Sequence, residues 1–177
     1  ITIGAGFAGL YMLYRLKKAG LSCKVFEAGS GVGGTWYWNR YPGARCDVES
    51  WEYSYGFSEE LEQEWNWSER YAAQPEILDY LEHVAHKFAL YQDIMFSTKV
   101  ISAHFDNTSN CWIIRTNQFN HEYRAKYCIM ATGCLSTPTR PDFKGLGSYE
   151  GKTYHTGQWP HEEIDFTGNR VGIIGTG

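Results

Sequence analysis

A glycine-rich turn at the start of the chain, GAGFAG, limits the possible folds more than any other feature of the sequence. Its glycines, Gly4, Gly6 and Gly9, have the spacing GxGxxG. The turn follows an apolar stub, residues 1–3, and opens a segment with helical periodicity. The next apolar segment, CKVFEA, ends in an acid, Glu27, whose carboxylate is expected to accept hydrogen bonds from ribose hydroxyls. Strand, turn, helix, strand and acid in this order predict a Rossmann-type dinucleotide site.

Each glycine of the turn has a physical role in such a site. Gly4 permits the tight turn, Gly6 lets a pyrophosphate approach the backbone, and Gly9 lets the helix pack on the strand. The first helical turn, with Phe7 and Ala8, presents free N–H groups and the positive end of the helix dipole to phosphates. The alternative is a glycine-rich turn with a solvated glutamate after it, but the complete set of features favours nucleotide binding.

The rest of the chain mixes an irregular region with regular elements. Residues 28–74 are irregular and rich in aromatic side chains, and residues 75–90 have the pattern of an amphipathic helix. Three strands are predicted, over residues 96–105, 111–116 and 123–131. We therefore expect an α/β fold, in which a Rossmann-like domain carries an inserted antiparallel β-meander and is followed by the start of a second Rossmann-like domain.

A stretch rich in Pro, Gly, Ser and Thr, CLSTPTRPDFKGLGS, predicts a domain boundary. The sequence then closes on GIIGTG, which looks like the start of a second fingerprint, with Gly175 and Gly177 at its first two glycine positions. Residues 1–137 are therefore assigned to the N-terminal part of the first domain, and residues 138–177 to a linker and the start of the second. Because both ends interrupt an element, the sequence is interpreted as an internal fragment of a longer protein.

Composition excludes several classes of function. Lys plus Arg is 16 against 20 for Asp plus Glu, and the net charge of −4 argues against a nucleic acid partner. No apolar run approaches the roughly 20 residues of a membrane span. The five cysteines form no CxxC pair, so neither a disulfide framework nor a metal site is predicted, and a cytoplasmic location fits best. His83 and His86 have a spacing that suits metal binding, but a solvated helix face is favoured.

The segment GVGGTWYWNRYPGARCDVES, residues 31–50, resembles flavin-dependent Baeyer-Villiger monooxygenases, in which a GGTW-like turn and a YPGARCD segment contact FAD. The resemblance implies cofactor contacts for Gly34, Thr35, Trp36, Arg45, Cys46, Asp47, Tyr53 and Val100. Arg45 and Cys46 resemble neighbours of the nicotinamide. Asp47 resembles the catalytic-site aspartate that positions an arginine, and this arginine is expected beyond residue 177.

A second motif, YEGKTYHTGQWP, resembles the pattern FxGxxxHxxxW that these monooxygenases carry before a Pro or Asp. It is occupied by Tyr149, Gly151, His155, Trp159 and Pro160, with Tyr in place of Phe at the first position. The resemblance makes His155 a second catalytic-site candidate, which couples the two nucleotide domains and does not act as a direct acid or base.

The resemblance implies FAD in the first domain and NADP in the second, with the choice of NADPH over NADH resting on the family alone. The implied reaction inserts one oxygen atom of O₂ next to a ketone carbonyl and gives an ester or lactone. The fragment alone is expected to be inactive.

Alternatives are an N- or S-oxygenating flavin monooxygenase, whose shorter motif lacks the final Trp and Pro, and a nonenzymatic nucleotide-binding module. A disulfide reductase is disfavoured because no CxxC or CxxxxC pair follows the first fingerprint. The oligomeric state and the ketone are not specified.

Overall fold

A computed structural model of the protein describes residues 1–118 and 121–175. The first fingerprint forms the predicted unit: strand β1 (Thr2–Ile3), helix α1 (Phe7–Lys18) and strand β2 (Val25–Phe26). The helix ends in basic side chains, Lys17 and Lys18, which interact favourably with the negative end of its dipole.

A four-stranded parallel sheet is completed by β3 (Ile94–Met95) and β7 (Ile129–Met130), in the order β3-β2-β1-β7. The central strand β1 pairs with β2 on one side and with β7 on the other. Parallel neighbours need crossover connections, and helix α1 supplies the connection from β1 to β2. This is the Rossmann-like arrangement expected from the first fingerprint.

A separate three-stranded antiparallel sheet forms the meander, with β4 (Val100–Asp106), β5 (Cys111–Thr116) and β6 (Glu122–Ala125) in chain order. It packs on the parallel sheet through the rings of Phe26 and Tyr123, whose centroids are 4.7 Å apart. The predicted α/β class, with a Rossmann-like sheet and an antiparallel insertion, is therefore confirmed.

The structure corrects the boundaries of two predicted strands, one of which is divided between the two sheets. The predicted strand 96–105 corresponds to β4 alone, while β3 lies just before it in the parallel sheet. Ser97 separates them because its φ of 51° is incompatible with a continuous strand. The predicted strand 123–131, in contrast, contains the end of β6, in the antiparallel sheet, and all of β7, in the parallel sheet. Alternation of apolar residues does not show which sheet a strand joins.

The irregular region contains two short helices, α2 (Thr35–Trp38) and α3 (Glu59–Glu64). Helix α4 (Gln74–Lys87) follows, with a proline in its first turn as the sequence predicts. It ends three residues earlier than predicted, because Ala89 adopts a φ of 50° that stops the helix. Helices α1 and α4 share the main core, where the fully buried side chains include Leu10, Leu13, Tyr80, Leu81 and Val84.

Residues 131–175 are mostly exposed, and the regular structure in this range consists of short 3₁₀ turns at Leu146–Ser148 and Thr156–Gln158. The second glycine motif has exposed apolar side chains at Val171, Ile173 and Ile174. Its second glycine, Gly177, lies outside the described residues. None of the helices in the described ranges has the length and apolar character needed to cross a membrane.

Candidate functional site

The fingerprint turn is packed so closely that two of its positions require glycine. A Cβ atom on Gly9 would lie 1.9 Å from the carbonyl oxygen of Gly4, and one on Gly4 would lie 2.4 Å from the carbonyl oxygen of Ala131. Gly4 also has a φ of +102°, which L side chains rarely adopt. The turn is therefore fixed between the start of α1 and the residue that follows β7.

The GGTW turn touches the fingerprint directly, backbone against backbone. A Cβ on Gly34 would lie 2.8 Å from Cα of Gly6, and the Gly33 amide donates to the Ala5 carbonyl at 3.0 Å. Two motifs that are separated in the sequence thus form one glycine-lined surface. No side chain of the described residues caps the start of α1, so the N–H groups of its first turn, at Phe7 and Ala8, are available to an anion.

The carboxylate of Glu27 is buried next to this turn, with only 4% of the residue exposed. One carboxylate oxygen accepts from the Ala5 amide and the other from the Gly29 amide, each at 2.7 Å. The Glu27 backbone carbonyl in turn accepts from the Thr98 amide at 2.8 Å. Each carboxylate oxygen has a further acceptor position, so the group has the capacity to bind ribose hydroxyls while it holds the turn.

Three predicted cofactor residues form an aromatic layer beside the turn. The indole N–H of Trp36 donates to the Tyr53 hydroxyl at 3.1 Å, and the Tyr53 ring lies edge-on to Phe7 with centroids 4.8 Å apart. Burial raises the pKa of the Tyr53 phenol, which therefore stays protonated and keeps its O–H as a donor. The side-chain amide of Gln74 donates a hydrogen bond to the Trp36 carbonyl oxygen. Thr35, also predicted to contact the cofactor, is the first residue of α2 and belongs to the GGTW turn.

The YPGARCD segment lies antiparallel to residues 72–74. Cys46 is buried, and its amide donates to the Ala72 carbonyl at 3.0 Å. Arg45 points outward, where its guanidinium binds Glu69 at 2.7 Å and the Tyr71 carbonyl at 2.8 Å. Asp47 is exposed, so its carboxylate is accessible to a partner group.

The remaining candidates lie farther along the chain. Val100 begins β4 and is half-buried, two residues after Thr98, which binds Glu27. Gly175 is exposed with a φ of +95°.

His155 is fixed within the connector by two hydrogen bonds. Its Nε2 lies 3.1 Å from the Thr139 carbonyl, and its Nδ1 accepts from the Gly157 amide at 3.1 Å. An acceptor at Nδ1 places the proton of the neutral ring on Nε2, where it donates to Thr139. The histidine therefore ties together two stretches of the connector 16 residues apart.

The other members of the connector motif also have structural roles. A Cβ on Gly151 would lie 2.4 Å from the Tyr149 hydroxyl oxygen, a contact that a shift of this exposed ring would relieve. Trp159 packs on Tyr154 at a centroid distance of 5.5 Å and on Phe166 at 6.2 Å. The motif thus builds a small aromatic cluster around the His155 segment.

Several residues that shape the site carry no signal in the sequence. Ser50 is 1% exposed and binds the backbone of residues 69–72, and Gln74 connects Trp36 to the start of α4. The Ala131 carbonyl closes the space over Gly4. A single Ser, Gln or Ala in an irregular region has no periodicity or spacing that marks it, so only the structure identifies these contacts.

Comparisons with known proteins agree with this architecture. The whole chain, residues 1–177, matches the family model described as pyridine nucleotide-disulphide oxidoreductase. A phenazine N-monooxygenase of Lysobacter antibioticus is 44% identical over 178 residues, which is 100% of this chain and 32% of that protein. A Baeyer-Villiger monooxygenase of Pseudooceanicola batsensis is 44% identical over 178 residues, again 100% of this chain and 32% of the relative.

A solved structure, that of an oxidized steroid monooxygenase bound to NADP, matches with a TM-score of 0.91 and 57% identity, over 99% of this chain and 34% of that one. The resemblance to Baeyer-Villiger monooxygenases that the motifs indicate is thus confirmed. This chain spans about a third of the length of the relatives that it matches.

Proposed function

We propose a function on the premise that the chain belongs to the pyridine nucleotide-disulphide oxidoreductase family, whose model it matches over residues 1–177. The whole protein is proposed to be an FAD- and NADPH-dependent monooxygenase that inserts one oxygen atom of O₂ next to a ketone carbonyl. The product is an ester or lactone. Residues 1–137 supply the N-terminal part of the FAD-binding domain, and residues 138–177 supply the linker and the start of the NADP-binding domain. Five free thiols favour a reducing cytoplasm as its compartment.

The direct backbone contact between the fingerprint and the GGTW turn supports this proposal most strongly. Gly6 and Gly34 pack backbone against backbone with no room for a side chain between them, beside the free N–H groups at the start of α1. Such a surface fits a pyrophosphate, and the buried carboxylate of Glu27 fits the adjacent ribose. FAD contains both groups in the required order.

The protein residues bind and orient in this proposal, whereas FAD supplies the redox chemistry by accepting a hydride from NADPH and activating O₂. Trp36 and Tyr53 provide a rigid aromatic layer next to the turn. Asp47 holds an arginine, contributed by another part of the protein, through a charge-assisted hydrogen bond. Arg45 and Cys46 lie next to the nicotinamide of NADPH in this proposal.

Two other functions, oxygenation of a nitrogen atom and reduction of a disulfide, are the alternatives to ketone oxidation. The N-oxygenating relative is as similar to this chain as the Baeyer-Villiger relative, so identity alone does not choose between ketone and nitrogen oxidation. The connector motif, which matches the pattern at every position but the first and ends in Trp159 and Pro160, favours ketone oxidation by resemblance. Disulfide reduction is disfavoured, because the sequence has no CxxC or CxxxxC pair after the first fingerprint.

The test is made on the full-length protein loaded with FAD. NADPH added without O₂ should bleach the flavin absorbance, and a cyclic ketone added with O₂ should yield a lactone. An aromatic N-heterocycle is the matched control substrate. An N-oxide formed in place of the lactone would assign the protein to the N-oxygenating class, and unchanged flavin absorbance on addition of NADPH would make it a nonenzymatic binding module.

The role proposed for His155 predicts a selective defect. Replacing it with Ala removes the hydrogen bonds to Thr139 and Gly157, so the connector loosens while the flavin contacts at Gly4 and Glu27 remain. We expect FAD to stay bound and flavin reduction by NADPH to slow about tenfold, as the loss of two hydrogen bonds allows. Stopped-flow absorbance measures the reduction rate.

The exposed His104 on β4 provides the control, because His104→Ala should leave reduction unchanged. Normal reduction by the His155→Ala variant, combined with a large defect in ester formation, would instead make His155 a direct participant in the chemistry.

A further inference from the structure

Residues 44–50 and 69–74 run antiparallel, but their pairing is interrupted at Asp47. On one side of the interruption the Gln74 amide donates to the Ala44 carbonyl at 2.8 Å, and Cys46 donates to Ala72 at 3.0 Å. On the other side the Ser50 amide donates to the Arg70 carbonyl at 2.8 Å. Residues 47–49 therefore lie opposite the single residue 71. This arrangement is a bulge with two extra residues, and Asp47 is its first member.

The side chain of Ser50 closes this bulge. A regular antiparallel pair would return a hydrogen bond from the Ala72 amide to the Cys46 carbonyl. Here the Ala72 amide donates to Ser50 Oγ at 3.0 Å, and the Ser50 hydroxyl donates to the Glu69 carbonyl at 2.8 Å. A hydroxyl thus takes the place of a backbone carbonyl in the ladder.

The closure is buried, and the Ser50 hydroxyl also lies 3.1 Å from the Arg70 carbonyl oxygen. Ser50 and Ala72 are each 1% exposed, so without the hydroxyl the Ala72 amide would be buried with nothing to accept its proton. Inside the bulge, the Val48 amide donates to the Cys46 thiol at 3.5 Å. Bulges bend a strand and re-aim its side chains, and they are frequent next to active sites.

We propose that Ser50 is a positioning residue for Asp47, and that its hydroxyl fixes the bulge from which the Asp47 carboxylate is presented to its partner group. The carboxylate is exposed at the start of the bulge, which is pinned at Cys46 on one side and at Ser50 on the other. The Glu49 carbonyl next to Ser50 also accepts from the Tyr53 amide at 2.9 Å. The Ser50 closure therefore sets the path of the chain to a second predicted cofactor residue.

The inference that Ser50 positions Asp47 for catalysis rests on the proposed function. The inference that the Ser50 hydroxyl fixes the bulge does not. In the full-length, FAD-loaded protein, Ser50→Ala should keep FAD but speed amide hydrogen exchange at residue 72 and in residues 47–49. The fraction of consumed NADPH that yields ester should fall about fivefold, and H₂O₂ should rise to match. Ser50→Thr, which keeps the hydroxyl, should restore most of that fraction.

The control is Tyr80→Phe, which removes another hydrogen bond between a backbone amide and a side-chain hydroxyl, the partly buried one from the Tyr55 amide to the Tyr80 hydroxyl at 2.8 Å. It should lower the melting temperature without changing the ratio of ester to H₂O₂. If Ser50→Ala fails to bind FAD, Ser50→Cys, with its weaker hydrogen bonds, should show the same two changes at smaller size.

Unchanged hydrogen exchange at residues 47–49 and 72, or an unchanged ester fraction in an FAD-loaded Ser50→Ala or Ser50→Cys variant, would overturn the positioning role. Absence of ester from the unaltered protein would instead contradict the proposed function. In that case the hydrogen exchange still decides whether Ser50 fixes the bulge.

Discussion

Replacing Gly9 with alanine is expected to abolish FAD binding and to destabilise the fold by about 3 kcal/mol, because the new methyl group overpacks a rigid turn. Its Cβ would lie 1.9 Å from the Gly4 carbonyl oxygen and 2.9 Å from the Gly4 carbonyl carbon. Both contacts are with backbone, so no side-chain rotation relieves them. Helix α1 must move away from β1, and the N–H groups that would bind the pyrophosphate move with it.

The measurements are the melting temperature and the flavin absorbance that remains after dialysis of the full-length protein. Gly147→Ala is the matched control, since a Cβ at that position meets nothing within 4 Å and should change stability by less than about 0.5 kcal/mol. A Gly9→Ala variant that melts and retains FAD like the unaltered protein would show that the turn is packed more loosely than the structure indicates.

The second large effect is expected for Glu27→Ala, which leaves two buried amides, those of Ala5 and Gly29, without their acceptors. Each unsatisfied amide reduces stability by about 1–3 kcal/mol. The ribose of FAD would lose its acceptor as well, so both the melting temperature and FAD retention should fall. Glu27→Gln keeps one acceptor oxygen and should have a smaller effect on both quantities.

Glu150→Ala is the control, because Glu150 is exposed in the connector. The melting temperature of FAD-free protein reports on how Glu27 stabilises the turn, and the FAD affinity reports on how it binds ribose. A lower melting temperature in FAD-free protein, with unchanged FAD affinity, would mean that Glu27 only holds the turn and does not bind ribose.

The parts of the fold that the sequence predicts well are those where one local pattern decides the structure. Strand β5 was predicted over residues 111–116 and is found at Cys111–Thr116, and helix α1 begins directly after the fingerprint as expected. The predicted strand 96–105 starts four residues too early, and the predicted strand 123–131 joins two strands, because β3 and β7 belong to a sheet whose other members are distant in sequence. Pairing partners of that kind are set by tertiary packing and not by local pattern.

The candidate site shows the same division. Glycine spacing and a strand-ending acid identify Gly6 and Glu27 from sequence alone. The contact of Gly6 with Gly34 depends on how the irregular region folds back, and the closure by Ser50 depends on a bulge. Neither has a periodic signature. The cofactor roles of Val100 and Gly175 stay predictions, and Gly177 lies outside the described residues.

Oxygen labelling of the product tests the central claim most directly. The full-length protein, loaded with FAD, is given NADPH, a cyclic ketone and ¹⁸O₂ in unlabelled water, and the product is analysed by mass spectrometry. The account predicts a lactone with one ¹⁸O atom in the ring, next to the carbonyl. A lactone without label, or NADPH oxidation that yields H₂O₂ and no lactone, would contradict it.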